Sequence, residues 1–150
     1  MVKKITVADV EYLAFRLARE RLSFDEPIPD FATRYPHRLE SCILTPFQTF
    51  GRKDLYPSLI GKAAMLFYLM IKSHPFVNGN RRIALTSLLT FLYKNDKWLA
   101  VNPHDLYKVT VWVAESPAEF KVQTVSSIEK FIGDHVTAAG DTQGSASKKK

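Results

Sequence analysis

Apolar residues recur along this chain at spacings of three and four, the period of a helix with one buried face. Thr6 and Asp9 form a helix start, hydroxyl over amide and carboxylate at the positive dipole end. Val10, Leu13, Ala14 and Leu17 follow, predicting a first helix to about Arg21. From Ser23 to Pro36 the pattern breaks, with Pro27, Pro29 and Pro36 among polar and aromatic residues, and a loop is predicted. Leu39, Ile43 and Leu44 give a short second helix ending near Pro46. Phe47, Phe50 and Tyr56 flank Gly51 in a turn-prone stretch, which predicts a short flap hairpin. Pro57 suits the first turn of a third helix, with Ile60, Ala63, Ala64, Phe67 and Ile71 on its buried face, ending near Ser73. Asn80 opens the fourth, striped by Leu85, Leu88, Leu89 and Leu92 and stopped by Asn95-Asp96. Asn102 caps a fifth, with Pro103 at its first position and Leu106, Val109 and Val113 following. Val125, Ile128 and Ile132 mark a last helix that stops near Gly133 or shortly beyond. The pattern predicts an all-α single domain of about six helices over residues 1–137. Small polar residues and lysines from 138 to 150 predict a disordered basic tail.

Composition adds bounds. The 150 residues suffice for one real core, and 46% apolar with 24% charged residues excludes an intrinsically disordered chain. The net charge of +6 includes Lys148, Lys149 and Lys150, so the body is mildly basic and suited to an anionic partner. Cys42 is the single cysteine, which rules out an intrachain disulfide and an all-cysteine metal site. No apolar run reaches the length of a membrane span, and the N-terminus lacks a signal-peptide core, so a cytoplasmic protein is expected.

The dense chemical signal lies between the third and fourth helices, in His74-Pro75-Phe76-Val77-Asn78-Gly79-Asn80-Arg81-Arg82. A helix N-terminus presents unpaired N–H groups and a positive dipole end, and so favours phosphate. Gly79 permits close backbone approach or a positive φ. Arg81 and Arg82 carry guanidinium forks that match phosphate oxygens. His74 is the group here able to move a proton near neutral pH, and Phe76 is expected to point into the core and fix the loop. Each residue alone also fits a plain structural turn, with His74 at a helix C-terminus and Asn78-Gly79 as the bend. The arginine pair is harder to absorb, because cations oppose the dipole in a first turn unless an anion offsets them.

The nine residues resemble the Fic/Doc signature, His-x-Phe-x-Asp/Glu-Gly/Ala-Asn-Gly/Lys-Arg. Tyr56-Pro57, Ala63-Ala64 and Ile83-Ala84 through Phe91-Leu92 look like the same family's core, so the resemblance spans roughly Leu39 to Phe131. It implies a Fic/Doc-like helical bundle with His74 as general base toward a target hydroxyl. It further implies Asn80 and Arg82 on nucleotide phosphates, Gly79 shaping the anion turn, and Phe47–Tyr56 as a flap that docks the target's backbone. Arg81 stands where AMP-transferring members have glycine, and Leu85 where they have a second arginine. The death-on-curing branch has lysine at the position of Arg81 and no second arginine. The resemblance therefore implies a Doc-like toxin that transfers the ATP γ-phosphoryl group to a translation elongation factor, with AMP transfer or a degenerate nucleotide-binding member as alternatives. Asn78 replaces the acid that normally binds Mg²⁺, which puts the metal in doubt. None of the glutamates has Ser or Thr four residues before it, so the self-inhibiting Ser/Thr-x-x-x-Glu pattern is absent and control by a separate antitoxin is expected.

Elsewhere, His37, His104 and His135 show no zinc spacing. Trp98 and Trp112 read as core or interface anchors. The lysine tail reads as solvated, so a nucleic-acid partner is not expected.

Overall fold

A computed structural model describes residues 1–22 and 26–140. Helical segments Val7–Asp9, Val10–Phe15 and Arg16–Arg21 run on as one rod, α1 (7–21), whose middle part is π-wound. The remaining helices among the described residues are α2 (Pro36–Leu44), α3 (Leu59–Lys72), α4 (Asn80–Lys94), α5 (Pro103–Glu115) and α6 (Lys121–His135). The helical domain read from the sequence is present.

Helix ends follow their chemistry. Thr6 and Asp9 make a reciprocal capping box, with side-chain-to-backbone bonds of 3.0 and 2.9 Å. Asn102 Oδ1 accepts from Asp105 N–H at 2.9 Å, with Pro103 at the first position. At α3 the expectation shifts slightly. Pro57 lies outside the helix, and Ser58 is the cap, its Oγ accepting from Gly61 N–H at 2.9 Å.

The larger departure is in burial. A single buried face is predicted for α3, yet Gly61 through Tyr68, Met70 and Ile71 are all buried; in α4, Arg82 through Leu89, Phe91 and Leu92 are buried too. These two helices form the centre, and the others surround them. A helix covered on all sides needs its polar groups satisfied internally. Thr86 Oγ1 does so by donating to Ala14 O of α1 at 2.7 Å. Ala14 lies in the π-wound part of α1.

Two small antiparallel pairs complete the fold. β1 (Thr49–Phe50) and β2 (Lys53–Asp54) form the predicted hairpin, turning at Gly51 and Arg52, whose φ values are 58° and 69°. β3 (Lys97–Leu99) pairs with β4 (Val136–Ala138), a ladder the sequence reading omits. This pair moves the domain edge beyond the predicted residue 137: Ala138 lies opposite Lys97, and Ala139 N–H donates to Asp96 O at 3.0 Å. The rest of the predicted tail, 141–150, lies outside the described residues.

Candidate active site

α3 and α4 pack together and are joined through the loop from His74 to Gly79. The loop is held from three sides. Phe76 is buried against Phe15 and Phe31, with ring centroids 5.7 and 5.9 Å away. Tyr35 N–H donates to Pro75 O at 2.8 Å, and Arg38 Nη1 to His74 O at 3.2 Å. Asn80 closes the turn: its Oδ1 accepts from Phe76 N–H at 2.9 Å and its Nδ2 donates to Phe76 O at 2.8 Å. Phe76 therefore has the anchoring place expected of it.

His74 follows the last turn of α3 with φ 50°, a left-handed conformation that β-carbon-bearing residues rarely adopt. Glycine is the usual occupant at such a helix end, so an exposed histidine there is costly for stability alone. Its Nδ1 lies 3.5 Å from Asn80 Nδ2, at the outer limit of a hydrogen bond. Because the two bonds to Phe76 fix the orientation of the Asn80 amide, the group turned toward His74 is a donor.

His74, Asn78, Gly79, Asn80, Arg81 and Arg82 line a single cavity of about 170 Å³ with Tyr107 of α5. That volume is smaller than the roughly 300–1,000 Å³ of pockets that enclose a whole small molecule. Gly79 caps α4 at φ 82°, and a β-carbon there would lie 2.6 Å from Ile28 Cγ1. The first turn of α4 contains no acid. Its N–H groups and Arg81 thus present positive potential to the cavity.

The two arginines divide. Arg81 is exposed, its Nε donating to Tyr107 Oη at 3.2 Å and its guanidinium 5.9 Å from the Tyr107 ring centroid. Arg82 is buried, with Nη1 donating to Leu22 O at 3.0 Å and Nη2 to Glu26 O at 2.6 Å. Arg82 lines the cavity yet spends its fork on backbone carbonyls, so its visible part is to tie the segment after α1 to α4. Asn80 likewise spends its amide on the loop.

Asn78 does not offer a cation the donor set of a carboxylate. Its Oδ1 accepts from Gly79 N–H at 2.8 Å, while Nδ2 donates to Glu26 Oε1 at 3.2 Å and to Pro27 O at 3.4 Å. Its one oxygen is engaged, and an NH₂ group occupies the side facing the carboxylate. Among the described residues no group of three or more His, Cys, Asp or Glu is placed to hold a metal ion. The residues present do not fit a resident divalent cation.

In the flap, Phe50 is 80% exposed at the hairpin. Phe47 and Tyr56, grouped with it from sequence, are half-buried anchors instead. Phe47 meets Phe91 edge-on at 6.0 Å, and Lys62, buried in α3, donates to Tyr56 O and to Asp54 Oδ2. Arg38, Glu26 and Tyr107 escaped the sequence reading. Their site partners are 36, 52 and 26 residues away, so no local spacing reports them.

A left-handed histidine beside a small cavity lined by Arg81 and Arg82 at a helix N-terminus marks the candidate site on a mostly helical scaffold. The family model described as Fic/DOC family matches residues 4–92, more than half of the chain and all of the stretch from His74 to Arg82. The chain belongs to the Fic/DOC family. The match takes in α1, which lies outside the stretch of resemblance read from sequence. A curated relative from Mycolicibacterium smegmatis, named Toxin Doc, is 36% identical over 64 residues, covering 43% of this chain and 49% of the relative. The chain thus spans about half the length of that curated relative. No solved structure matches the chain at a significant level. No helix is long and apolar enough to cross a membrane among the described residues.

Proposed function

We propose that this protein is a Doc-type toxin that moves the γ-phosphoryl group of ATP to a side-chain hydroxyl of a translation elongation factor. The observation that carries the reading is His74, held in a left-handed conformation at the mouth of the cationic cavity. In this reading His74 accepts the hydroxyl proton as the oxygen attacks the γ-phosphorus, and the bond to the β-phosphate oxygen breaks to release ADP. Proton uptake at Nε2 needs the ring proton on Nδ1, so the long contact to Asn80 loosens as substrate arrives. Arg81 and the α4 amides meet the phosphate charge, while Arg82, Asn80 and Gly79 hold the turn that aims them. Mg²⁺, where the reaction uses it, would be held by the nucleotide rather than by Asn78, whose oxygen is engaged with Gly79 N–H, and would supply charge neutralisation. Phe50 on the hairpin meets the target chain.

Leu85 supports phosphoryl over AMP transfer. It is buried in the core, so α4 supplies no second arginine there. The Toxin Doc relative supports a toxin reading and, with it, a separate antitoxin as partner.

Incubation with elongation factor and either γ- or α-labelled ATP tests this. The expected result is γ-label on the target with wild type and none with His74→Ala. Label from the α position would replace kinase by AMP-transferase, and nucleotide binding without transfer would make the chain a degenerate member.

A further inference from the structure

Asn78 stands at the rim of the phosphate cavity, where the signature has an acid, and its amide is bound to a carboxylate from another segment. Nδ2 donates to Glu26 Oε1 at 3.2 Å. Glu26 is itself held, because Arg82 Nη2 donates to its carbonyl at 2.6 Å from a buried side chain. Two residues of the nine-residue stretch therefore fix one glutamate, by its backbone and by its side chain. An acid at position 78 would place two carboxylates against each other, an arrangement that repels unless a cation lies between them. An amide there needs no cation, since its N–H groups complement the carboxylate directly.

We infer that the Asn78–Glu26 pair is a clasp that takes the place of a protein-held divalent cation, so that this site binds phosphate without a resident metal. The clasp joins the segment after α1 to the turn before α4 and keeps the cavity's outer wall in place. The phosphate charge falls to Arg81 and the α4 amides. For what the cavity binds, the inference rests on the proposed function; the clasp itself does not.

The test uses the full chain and Mn²⁺ followed by electron paramagnetic resonance, without nucleotide. Wild type is expected to show no stoichiometric Mn²⁺ site. Asn78→Asp should create one, at least roughly tenfold tighter than any wild-type binding, as a second charged oxygen ligand would give. Adding Glu26→Gln to that variant should remove it. A wild-type Mn²⁺ site that disappears in Glu26→Gln would overturn the inference, because Glu26 would then be a metal ligand already. An Asn78→Asp protein that folds and gains nothing also overturns it. Should that variant not fold, the side-chain amide resonances of Asn78 decide: they are expected to move on Glu26→Gln, and unmoved resonances mean there is no clasp. In a parallel arm, binding of a fluorescent ATP analogue to wild type should change less than about threefold between Mg²⁺ and EDTA, as expected when no protein carboxylate recruits the ion. No binding of the analogue under either condition would sink the nucleotide reading, while the Mn²⁺ result still judges the clasp.

Discussion

At the scale of single residues, the centre is built from backbone conformations that few side chains tolerate. Gly79 is the clearest case, since its positive φ and the Ile28 side chain both exclude a β-carbon. Gly79→Ala is expected to lower unfolding free energy by about 1–3 kcal/mol, from left-handed backbone strain plus repacking of a buried isoleucine. Denaturant titration measures this, and a change within about 0.5 kcal/mol, the range of neutral surface substitutions, would contradict it. Tyr107 acts on the site through Arg81. Tyr107→Phe keeps the ring beneath the guanidinium and removes the oxygen that accepts from Nε. Nucleotide affinity should fall by about threefold to tenfold, the worth of one hydrogen bond to a charged group at a partly exposed site. Unfolding midpoints should stay unchanged, which separates positioning of Arg81 from damage to α5; unaltered affinity would show that Tyr107 does not aim Arg81.

Elements show which parts of this arrangement are readable in one dimension. The two central helices, the hairpin and the turn before α4 are legible because each is encoded within about fifteen residues: apolar stripes, Gly51 between aromatics, and His74 through Arg82. The β3–β4 ladder is not, because its strands are three residues each and lie far apart in the chain, too short to show alternation. The split between Arg81 and Arg82 is also invisible in sequence. It depends on the carbonyls of Leu22 and Glu26 arriving from the far end of α1. Lys62 hides for the same reason: a lysine within an apolar helix looks like a solvated edge, yet it is 2% exposed and anchors the hairpin. Lys62→Met should therefore loosen β1 and β2 while leaving the α3–α4 core closed. Amide exchange over Thr49–Asp54 is expected to quicken by about tenfold or more, since losing a buried charge-assisted bond is worth about 1.5–3 kcal/mol. Equal exchange in both proteins would show that the hairpin does not rest on Lys62.

Across the whole molecule, one connection links the N-terminal cap of α1 to the far end of α4, the helix whose other end lines the candidate cavity. Asp9 closes the capping box with Thr6 and also accepts from Lys94 in the last turn of α4. Burial alone would raise the Asp9 carboxyl, but bonds from Lys94, the Thr6 backbone and the Thr6 hydroxyl, with the Lys94 charge, together hold it below the usual carboxylate range. A carboxyl depressed in the folded state stabilises fully above its unfolded value, and that contribution is lost as pH falls through the folded value. Thermal midpoints of wild type should thus hold near neutrality and decline below about pH 4, where carboxylates begin to protonate. Asp9→Asn removes both the Lys94 ion pair and the pH-sensitive part of the cap. Its midpoint should be lower than wild type at neutral pH and should approach wild type as the pH falls below the usual carboxylate range, because the wild-type carboxyl then loses the same charge. Parallel curves with a constant gap would mean that Asp9 contributes through packing alone. Convergence would mean that the α1–α4 junction, and with it the frame carrying the cationic turn, is secured at neutral pH by this one carboxylate.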